Sequence, residues 1–181
     1  MRITAGKAKG LKLKTPASWD VRPMTERARK ALFDILGPQI EGKRILDLFS
    51  GTGAVGIEAL SRGAKEVVFV DASPKSLALI RENLRRTGFE SQAKVLKRTL
   101  PQGLRSLASF GPFDFIFITP PYGRGLAAKV LEALEGDLLT PKGLVIVEER
   151  EGERLFSETS LLTLIDQRRY GQTELFFYRR K

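Results

Sequence analysis

The run Ile45-Leu46-Asp47-Leu48-Phe49-Ser50-Gly51-Thr52-Gly53 is the most informative stretch of this chain. Its first five residues are apolar except for Asp47, which is typical of a strand covered on both faces. A helical pattern follows over residues 54 to 62. Glycines let the backbone adopt positive φ and approach a ligand, and the first turn of a helix directs unpaired N–H groups at the loop. The run therefore predicts a strand, a ligand-binding glycine loop and a helix in an α/β fold.

A second acid, Asp71, follows the next apolar run. It comes eighteen positions after Gly53, a spacing that suits a carboxylate binding ribose hydroxyls. The loop also matches the GxGxxG pattern of dinucleotide-binding folds, so it does not by itself separate NAD from S-adenosylmethionine. Asp47 favours S-adenosylmethionine, because an acid at the strand end repels a pyrophosphate and can pair with the ammonium of a methionine moiety. The alternative is that Asp47 only caps an N–H of the loop.

A stiff turn follows a third apolar strand at Phe115-Ile116-Phe117-Ile118-Thr119-Pro120-Pro121-Tyr122. Each proline fixes φ and lacks an N–H, so the carbonyls of the turn project outward. The Thr119 hydroxyl and the Pro120 carbonyl can accept hydrogen bonds from an exocyclic NH2, with the Tyr122 ring stacked on the base. The alternative is a plain strand-ending turn with a packing tyrosine. We predict Thr119, Pro120, Pro121 and Tyr122 as the catalytic residues.

Length and composition limit the class of protein. At 181 residues with 42% hydrophobic content, the chain can bury one sizeable core, so we expect one main domain. It has no cysteine and no histidine, which excludes disulfides, thiolate metal sites and a cysteine nucleophile and removes the commonest general base. We expect no metal. No twenty-residue apolar run or signal-peptide core is present, so we expect a soluble cytoplasmic protein without a membrane partner.

The net charge of +10 is concentrated near the start of the chain. Residues 1 to 30 hold nine Lys or Arg against two acids. We predict a short hairpin, roughly residues 2 to 5 and 10 to 14, whose outward basic side chains contact a phosphate backbone. The alternative is a solubilising surface. The candidate nucleic-acid-binding residues of this hairpin are Arg2, Lys7, Lys9, Lys12 and Lys14.

The rest of the chain alternates between strand and helix patterns, as a doubly wound fold does. A helix over residues 25 to 36, capped by Thr25, presents a basic face of Arg27, Arg29 and Lys30. The last two strands abut in a hairpin, so one strand is expected to run antiparallel. The predicted strands are 44 to 49, 66 to 70, 93 to 96, 113 to 118, 143 to 148, 161 to 167 and 173 to 179. The other predicted helices are 54 to 62, 74 to 87, 100 to 109 and 124 to 135.

These motifs together resemble the RsmD family of 16S ribosomal RNA guanine-N2 methyltransferases, within the class of S-adenosylmethionine-dependent amino-methyltransferases. The resemblance runs nearly end to end, through Met1 to Lys7, Arg22 to Arg29, the Asp47 loop, the Pro-Pro-Tyr turn and Tyr170-Gly171-Gln172-Thr173. It implies a Rossmann-like seven-stranded sheet, mostly parallel with one antiparallel strand. It also implies that a guanine N2 of 16S rRNA in the small ribosomal subunit is methylated from S-adenosylmethionine. We divide the chain into a basic extension (1–24) and a methyltransferase domain (25–181), and expect a monomer.

The resemblance also implies a set of cofactor-binding residues, from which the chain departs at two positions. Thr119 stands where the family usually has Asp or Asn, and Thr99 stands where the family has an acid near the adenine. Adenine recognition must then depend on backbone groups or on Thr99 itself. The predicted cofactor-binding residues are Asp47, Phe49, Ser50, Gly51, Gly53, Asp71, Ala72, Thr99 and Thr25. The resemblance also implies that the segment around Arg22 lies beside the RNA, so Arg22 and Arg27 join the hairpin residues as candidate RNA-binding residues.

Three alternatives stay open. A nucleotide-dependent oxidoreductase would use the glycine loop and Asp71, but it gives no role to the Pro-Pro-Tyr turn or the basic hairpin. A noncatalytic RNA-binding relative would keep the basic residues without turnover. Within the enzyme class, adenine N6 and cytosine N4 are exocyclic amines like guanine N2, and the motif does not distinguish them.

Overall fold

A computed structural model describes residues 1–18 and 23–181 of the protein. The strands are β1 (Arg44–Leu48), β2 (Glu66–Asp71), β3 (Ala93–Lys97), β4 (Phe113–Ile118), β5 (Leu139–Arg150), β6 (Leu162–Tyr170) and β7 (Thr173–Arg180). The α-helices are α1 (Glu26–Leu36), α2 (Ala54–Ser61), α3 (Pro74–Thr87) and α4 (Leu126–Ala133). Short 3-10 helices lie at Gly37–Ile40, Glu90–Gln92 and Leu104–Phe110.

The seven strands form one sheet in the order β3-β2-β1-β4-β5-β7-β6. Strands β1 to β5 pair in parallel, whereas β7 lies antiparallel between β5 and β6. The predicted fold class is therefore confirmed, including its one antiparallel strand. The chain order reverses between β1 and β4, and such a switch point opens a crevice at the carboxyl ends of the strands.

Helices cover both faces of the sheet because successive strand residues point to opposite sides. Ile45 belongs to a buried cluster formed with α1, α2 and α3, and its neighbour Leu46 belongs to a second cluster formed with α4. Both clusters are apolar, as the near-continuous hydrophobic strands predicted. The sheet is consequently held rigidly from both sides, and the loops at its carboxyl edge have fixed starting points.

The basic N-terminal segment forms an irregular hairpin. Arg2 and Lys12 make an antiparallel bridge, and Ile3 exchanges backbone hydrogen bonds with Gly10 and Leu11. Ile3 and Leu13 are buried in the same cluster as α1 and α2, so the hairpin packs on the core that these helices share with the sheet. The division of the chain at residue 24 stays a prediction.

Two expectations about local structure were wrong. Residues 100 to 109 do not form an α-helix, since only Leu104–Phe110 is helical and it has 3-10 geometry. Its buried residues Leu104 and Leu107 are three positions apart, which matches the three-residue turn of a 3-10 helix. Arg29 does not lie on an exposed basic face of α1, because it is fully buried and its guanidinium donates to the Arg2 carbonyl.

Most predicted boundaries hold within a few residues, and β5 and β6 are longer than expected. Strand β5 begins four residues early, at Leu139, which pairs with Phe113 of β4. At their other ends β5 and β6 run on to Arg150 and Tyr170, where antiparallel pairing with β7 continues through polar residues. Thr25 caps α1 as predicted, its hydroxyl accepting the Ala28 N–H. Among residues 1–18 and 23–181, no helix is both long and apolar enough to cross a membrane.

Candidate functional site

Asp47 lies in the middle of the sheet, at the switch point between β1 and β4. It is fully buried, and one carboxylate oxygen accepts the Gly56 N–H of α2 at 3.2 Å. The other oxygen, Oδ1, is buried without a hydrogen-bond partner among the described residues. Burial raises the pKa of Asp47 to about 8, the Gly56 hydrogen bond opposes that rise and the charge of Asp71 adds to it. An unsatisfied carboxylate oxygen at the switch point is ready to accept a cationic or hydrogen-bonding ligand group.

The glycine loop connects Asp47 to the second acid. The Gly51 N–H donates to Asp71 Oδ2 at 3.0 Å, and Asp71 Oδ1 accepts the Ser73 N–H at 2.9 Å. Gly51 has φ of 57°, and a Cβ built on it would meet nothing within 4 Å. The loop is therefore held open on its ligand side while Asp71 is fixed at the carboxyl end of β2.

Phe49 and Ser50 have different structural roles in this loop. Phe49 adopts φ of 60°, a left-handed conformation that costs a side-chain-bearing residue energy and that is typical of ligand sites. The Ser50 hydroxyl donates to the Asp47 carbonyl at 2.6 Å and accepts the Val70 N–H at 2.9 Å. Ser50 thus ties β1 to β2 through its side chain. Contacts of Phe49, Ser50 and Gly53 with a cofactor stay predictions.

The other predicted cofactor residues lie around the same edge of the sheet. Ala72 is exposed after β2, and Thr99 is exposed beyond the end of β3, where its carbonyl accepts the Gly103 N–H at 2.7 Å. Thr25 is engaged as the cap of α1. Roles of these residues in cofactor binding stay predictions.

The Thr119 turn adjoins the glycine loop directly. Thr119 continues β4, and its hydroxyl lies 3.3 Å from the Phe49 carbonyl and 3.4 Å from the Leu48 carbonyl. Pro120 is buried, whereas Thr119, Pro121 and Tyr122 are half-buried. The structure therefore brings the predicted amine-binding turn and the predicted cofactor loop side by side at the switch point.

Tyr122 makes contacts that the sequence did not indicate. Its hydroxyl donates to the Glu148 carboxylate at 2.6 Å and lies 3.3 Å from the Thr173 hydroxyl. Burial first, and then the charge of Glu148, raise the pKa of Tyr122, so its hydroxyl stays protonated. Burial likewise raises the pKa of Glu148 to about 7. Sequence reasoning missed Glu148, although an acid at the end of the apolar run of β5 is a signal that could have found it. Thr173 belongs to the motif Tyr170-Gly171-Gln172-Thr173, to which no role was assigned.

The predicted RNA-binding residues are only partly free. Lys14 pairs with Glu82 at 3.0 Å, and the Arg2 guanidinium donates to the Gly10 carbonyl at 2.9 Å. The exposed side chains of Lys7, Lys9 and Lys12 make no ion pair with another described residue. The exposed side chain of Arg27 likewise has no such partner in the described ranges. Arg22 lies outside the described residues.

The hairpin tip lies beside α2. The Lys7 N–H donates to the carbonyl of Ser61, the last residue of α2, which lies eight residues after Gly53 of the glycine loop. At 1.5 Å per residue, the tip is about 12 Å along the helix from the glycine loop. The base of the hairpin lies nearer that loop, since Asn83 bonds both the Lys14 backbone and the Thr52 carbonyl. No cluster of three or more metal-binding side chains is found in residues 1–18 and 23–181.

Comparison with known proteins agrees with this geometry. The family model described as conserved hypothetical protein 95 (Cons_hypoth95) matches residues 1–179. Ribosomal RNA small subunit methyltransferase D of Escherichia coli K12 is 32% identical over 183 residues, covering 100% of this chain and 90% of that protein. The protein of the same name from Haemophilus influenzae is 32% identical over 173 residues, covering 94% of this chain and 89% of that protein.

A solved structure shows the same relationship in three dimensions. The structure of a Thermus thermophilus protein described as hypothetical is 36% identical to this chain. The two superpose with a TM-score of 0.83, and the match covers 99% of each chain. Sequence and fold thus agree over the full length, as the separated motifs predicted. The chain belongs to the Cons_hypoth95 family, which is the RsmD family of rRNA methyltransferases.

Proposed function

We propose that the protein transfers a methyl group from S-adenosylmethionine to the exocyclic N2 of a guanine in 16S rRNA. The observation that carries this proposal is the contact between the two predicted sites. The Thr119 hydroxyl lies 3.3 Å from the Phe49 carbonyl of the glycine loop, so an amine on the turn and a cofactor on the loop are neighbours. The relatives named small subunit methyltransferase D support rRNA as the substrate.

The residues at the switch point suit S-adenosylmethionine. The unsatisfied Asp47 Oδ1 is an acceptor for the ammonium of a methionine moiety. Each oxygen of Asp71 bonds one backbone N–H and retains a lone pair for a ribose hydroxyl. The open space at Gly51 lets a ligand approach the backbone closely. When bound, S-adenosylmethionine supplies an electrophilic methyl group.

The protein contributes position and hydrogen bonding to the reaction. The guanine N2 lone pair is delocalised into the ring, so orienting it is the main task of the site. Acceptors at the Thr119 hydroxyl and the Pro120 carbonyl hold the two N–H groups and turn the lone pair out of conjugation. The sulfur keeps the electron pair of the broken S–CH3 bond, and the methylated nitrogen becomes acidic. Its extra proton can therefore pass to water without a strong base, while the Thr119 hydroxyl only accepts a hydrogen bond from it. The Tyr122 ring stacks on the splayed base.

The substrate is proposed to be the small ribosomal subunit, and the reaction is therefore proposed to occur in the cytoplasm. A base that must leave its stack is more accessible in an RNA loop than in a continuous duplex. The exposed lysines of the hairpin support binding of the phosphate backbone. We also propose that the protein acts as a monomer and that the reaction needs no metal.

The test is transfer of labelled methyl from S-adenosylmethionine to small subunits that lack this modification. Naked 16S rRNA is assayed in parallel, and the labelled nucleoside is identified by chromatography against standards. Label in N2-methylguanosine is the expected result. Label in N6-methyladenosine or N4-methylcytidine overturns the choice of base but keeps the reaction class. Cofactor and RNA binding without label identifies a noncatalytic relative, and binding of NADH instead of S-adenosylmethionine overturns the class.

A further inference from the structure

Glu148, which accepts the hydrogen bond of the Tyr122 hydroxyl, has no role in the reaction described so far. Glu148 is 3% exposed and lies in β5 one residue after Val147, the partner of Ile118 in the sheet. It therefore lies beside Thr119 at the carboxyl edge. Burying a carboxylate is costly unless it is hydrogen-bonded, and its described hydrogen-bond donor is Tyr122. Any role of the Glu148 side chain is therefore expected to depend on its hydrogen bond with Tyr122.

A third strand joins the same network. Thr173 is 6% exposed and begins β7, which runs antiparallel beside β5. The Tyr122 hydroxyl has one proton and directs it to Glu148, so the Thr173 hydroxyl is left to donate to the Tyr122 oxygen at 3.3 Å. The tyrosine oxygen is thus held by one acceptor and one donor from two neighbouring strands. This arrangement fixes both the position and the hydrogen-bonding state of the hydroxyl.

We propose that Glu148 is a positioning residue that acts together with Thr173 to hold the Tyr122 ring in the orientation that receives the substrate base. The proposal rests on the proposed function, because it requires Tyr122 to contact the base. The turn after Tyr122 contains Gly123 and Gly125, both at positive φ, so the turn itself offers the ring no stiff support on that side. The rigid sheet supplies that support through β5 and β7.

The groups that bear on Glu148 are few. Tyr122 donates to it from the turn after β4, the apolar Leu175 lies opposite it in β7, and Glu149 follows it in β5. Ionised Glu148 accepts the tyrosine hydrogen bond more strongly than the neutral acid does. Turnover at saturating cofactor is therefore expected to rise with pH through the range near 7, where Glu148 loses its proton.

The experiment compares Glu148→Gln, Tyr122→Phe and the double variant in methyl transfer to small subunits. Both single variants are expected to lower kcat on the order of 10-fold, as loss of a hydrogen bond to a charged group predicts. Affinity for S-adenosylmethionine is expected to stay within about twofold, because the Asp47 loop is not altered. Adding Glu148→Gln to Tyr122→Phe is expected to lower kcat no further, and the rise near pH 7 is expected to vanish. Glu149→Gln, which neutralises the next acid of the same strand, is the matched control. It is expected to keep kcat at high pH and to keep the rise with pH, with the midpoint moved to lower pH because the charge of Glu149 raises the pKa of Glu148.

Several results overturn the positioning role. If the losses of kcat in the two single variants multiply in the double variant, Glu148 does not act through Tyr122. A fall in the unfolding temperature and in cofactor affinity with unchanged kcat shows a purely structural role. A pH profile that Glu148→Gln leaves unchanged also contradicts the proposal. A wild-type protein that methylates no RNA refutes the proposed function instead, whereas an active wild type with fully active variants refutes only the role of Glu148.

Discussion

Asp47 accepts the Gly56 N–H through carboxylate oxygen Oδ2, while Oδ1 is buried without a hydrogen-bond partner among the described residues. The pKa of Asp47 is raised to about 8, well above the unfolded value of about 3.9. The folded apoprotein therefore binds this proton more tightly than the unfolded chain, and its stability falls as pH rises from about 4 to 8. A ligand ammonium beside Asp47 reverses that preference by stabilising the carboxylate.

Asp47→Asn is expected to stabilise the apoprotein above pH 7 and to abolish cofactor binding. The amide oxygen keeps the Gly56 hydrogen bond without an ionised group to bury, so the gain in unfolding temperature grows from pH 5 to pH 8. Affinity for S-adenosylmethionine falls at least about 100-fold, since a buried charge loses its partner. Thermal unfolding across pH and titration calorimetry measure the two effects.

The matched control for this prediction is Asp114→Asn. Asp114 accepts the Arg44 N–H at 2.9 Å near the start of β4, at the opposite edge of the sheet. Its replacement is expected to leave cofactor affinity unchanged. If Asp47→Asn binds S-adenosylmethionine as tightly as the wild type does, Asp47 only caps the loop and does not contact the cofactor.

Thr119→Val tests the hydroxyl that faces the glycine loop. Valine keeps the shape of threonine but removes the only side-chain acceptor at this position, so kcat is expected to fall about 10-fold with cofactor affinity unchanged. Thr119→Ser restores an acceptor and is expected to restore most of the rate. Steady-state kinetics on small subunits measures both variants. Equal rates for Thr119→Val and wild type would remove the hydroxyl from the mechanism. A large gain in activity in Thr119→Asp would support the alternative that this chain is a weakened or noncatalytic relative.

The positions of the candidate site residues near the carboxyl ends of their own strands were predictable from the sequence. Asp71 and Thr119 directly follow an apolar run and Asp47 interrupts one near its end, and the alternation of elements places the ends of parallel strands at one edge. Local pattern and topology were therefore sufficient to bring these three residues together. The glycine loop followed from the same reasoning, because positive φ is a property of its own residues.

Contacts between distant strands were not predictable in this way. Tyr122 and Glu148 are 26 residues apart, and their hydrogen bond depends on β5 lying between β4 and β7. The strand order is not visible in the sequence. Arg29 was misjudged for a related reason, since a charge on α1 is normally solvated and its burial depends on the hairpin that carries Arg2. Tertiary packing overrides local pattern at these positions.

Gly6→Ala tests whether the hairpin is locked onto α2. A Cβ at Gly6 would lie 1.8 Å from the Ser61 carbonyl oxygen, so the hairpin must move away from the helix. Gly10→Ala is the matched control, because Gly10 also has positive φ but its Cβ would meet nothing within 4 Å. Both variants carry the left-handed strain of about 1–2 kcal/mol, and only Gly6→Ala adds the steric overlap. Urea unfolding is expected to show the larger loss of stability for Gly6→Ala, and equal losses would show that the contact with α2 is dispensable.

The exposed lysines of the hairpin test its role in RNA binding. Lys7, Lys9 and Lys12 make no ion pair with other described residues, so their replacement removes charge without breaking an interaction of that kind. Replacing all three by alanine is expected to weaken binding of 16S rRNA and to reduce the slope of log K against log salt by about 2, because each lysine that neutralises a phosphate contributes about 0.7 to that slope. Lys129, Lys142 and Arg179 are exposed in α4, β5 and β7, outside the hairpin and α2, so their triple alanine variant changes net charge equally at another part of the protein. Filter binding at several salt concentrations measures both variants, and equal slopes would mean that the hairpin charges act only through the overall charge of the protein.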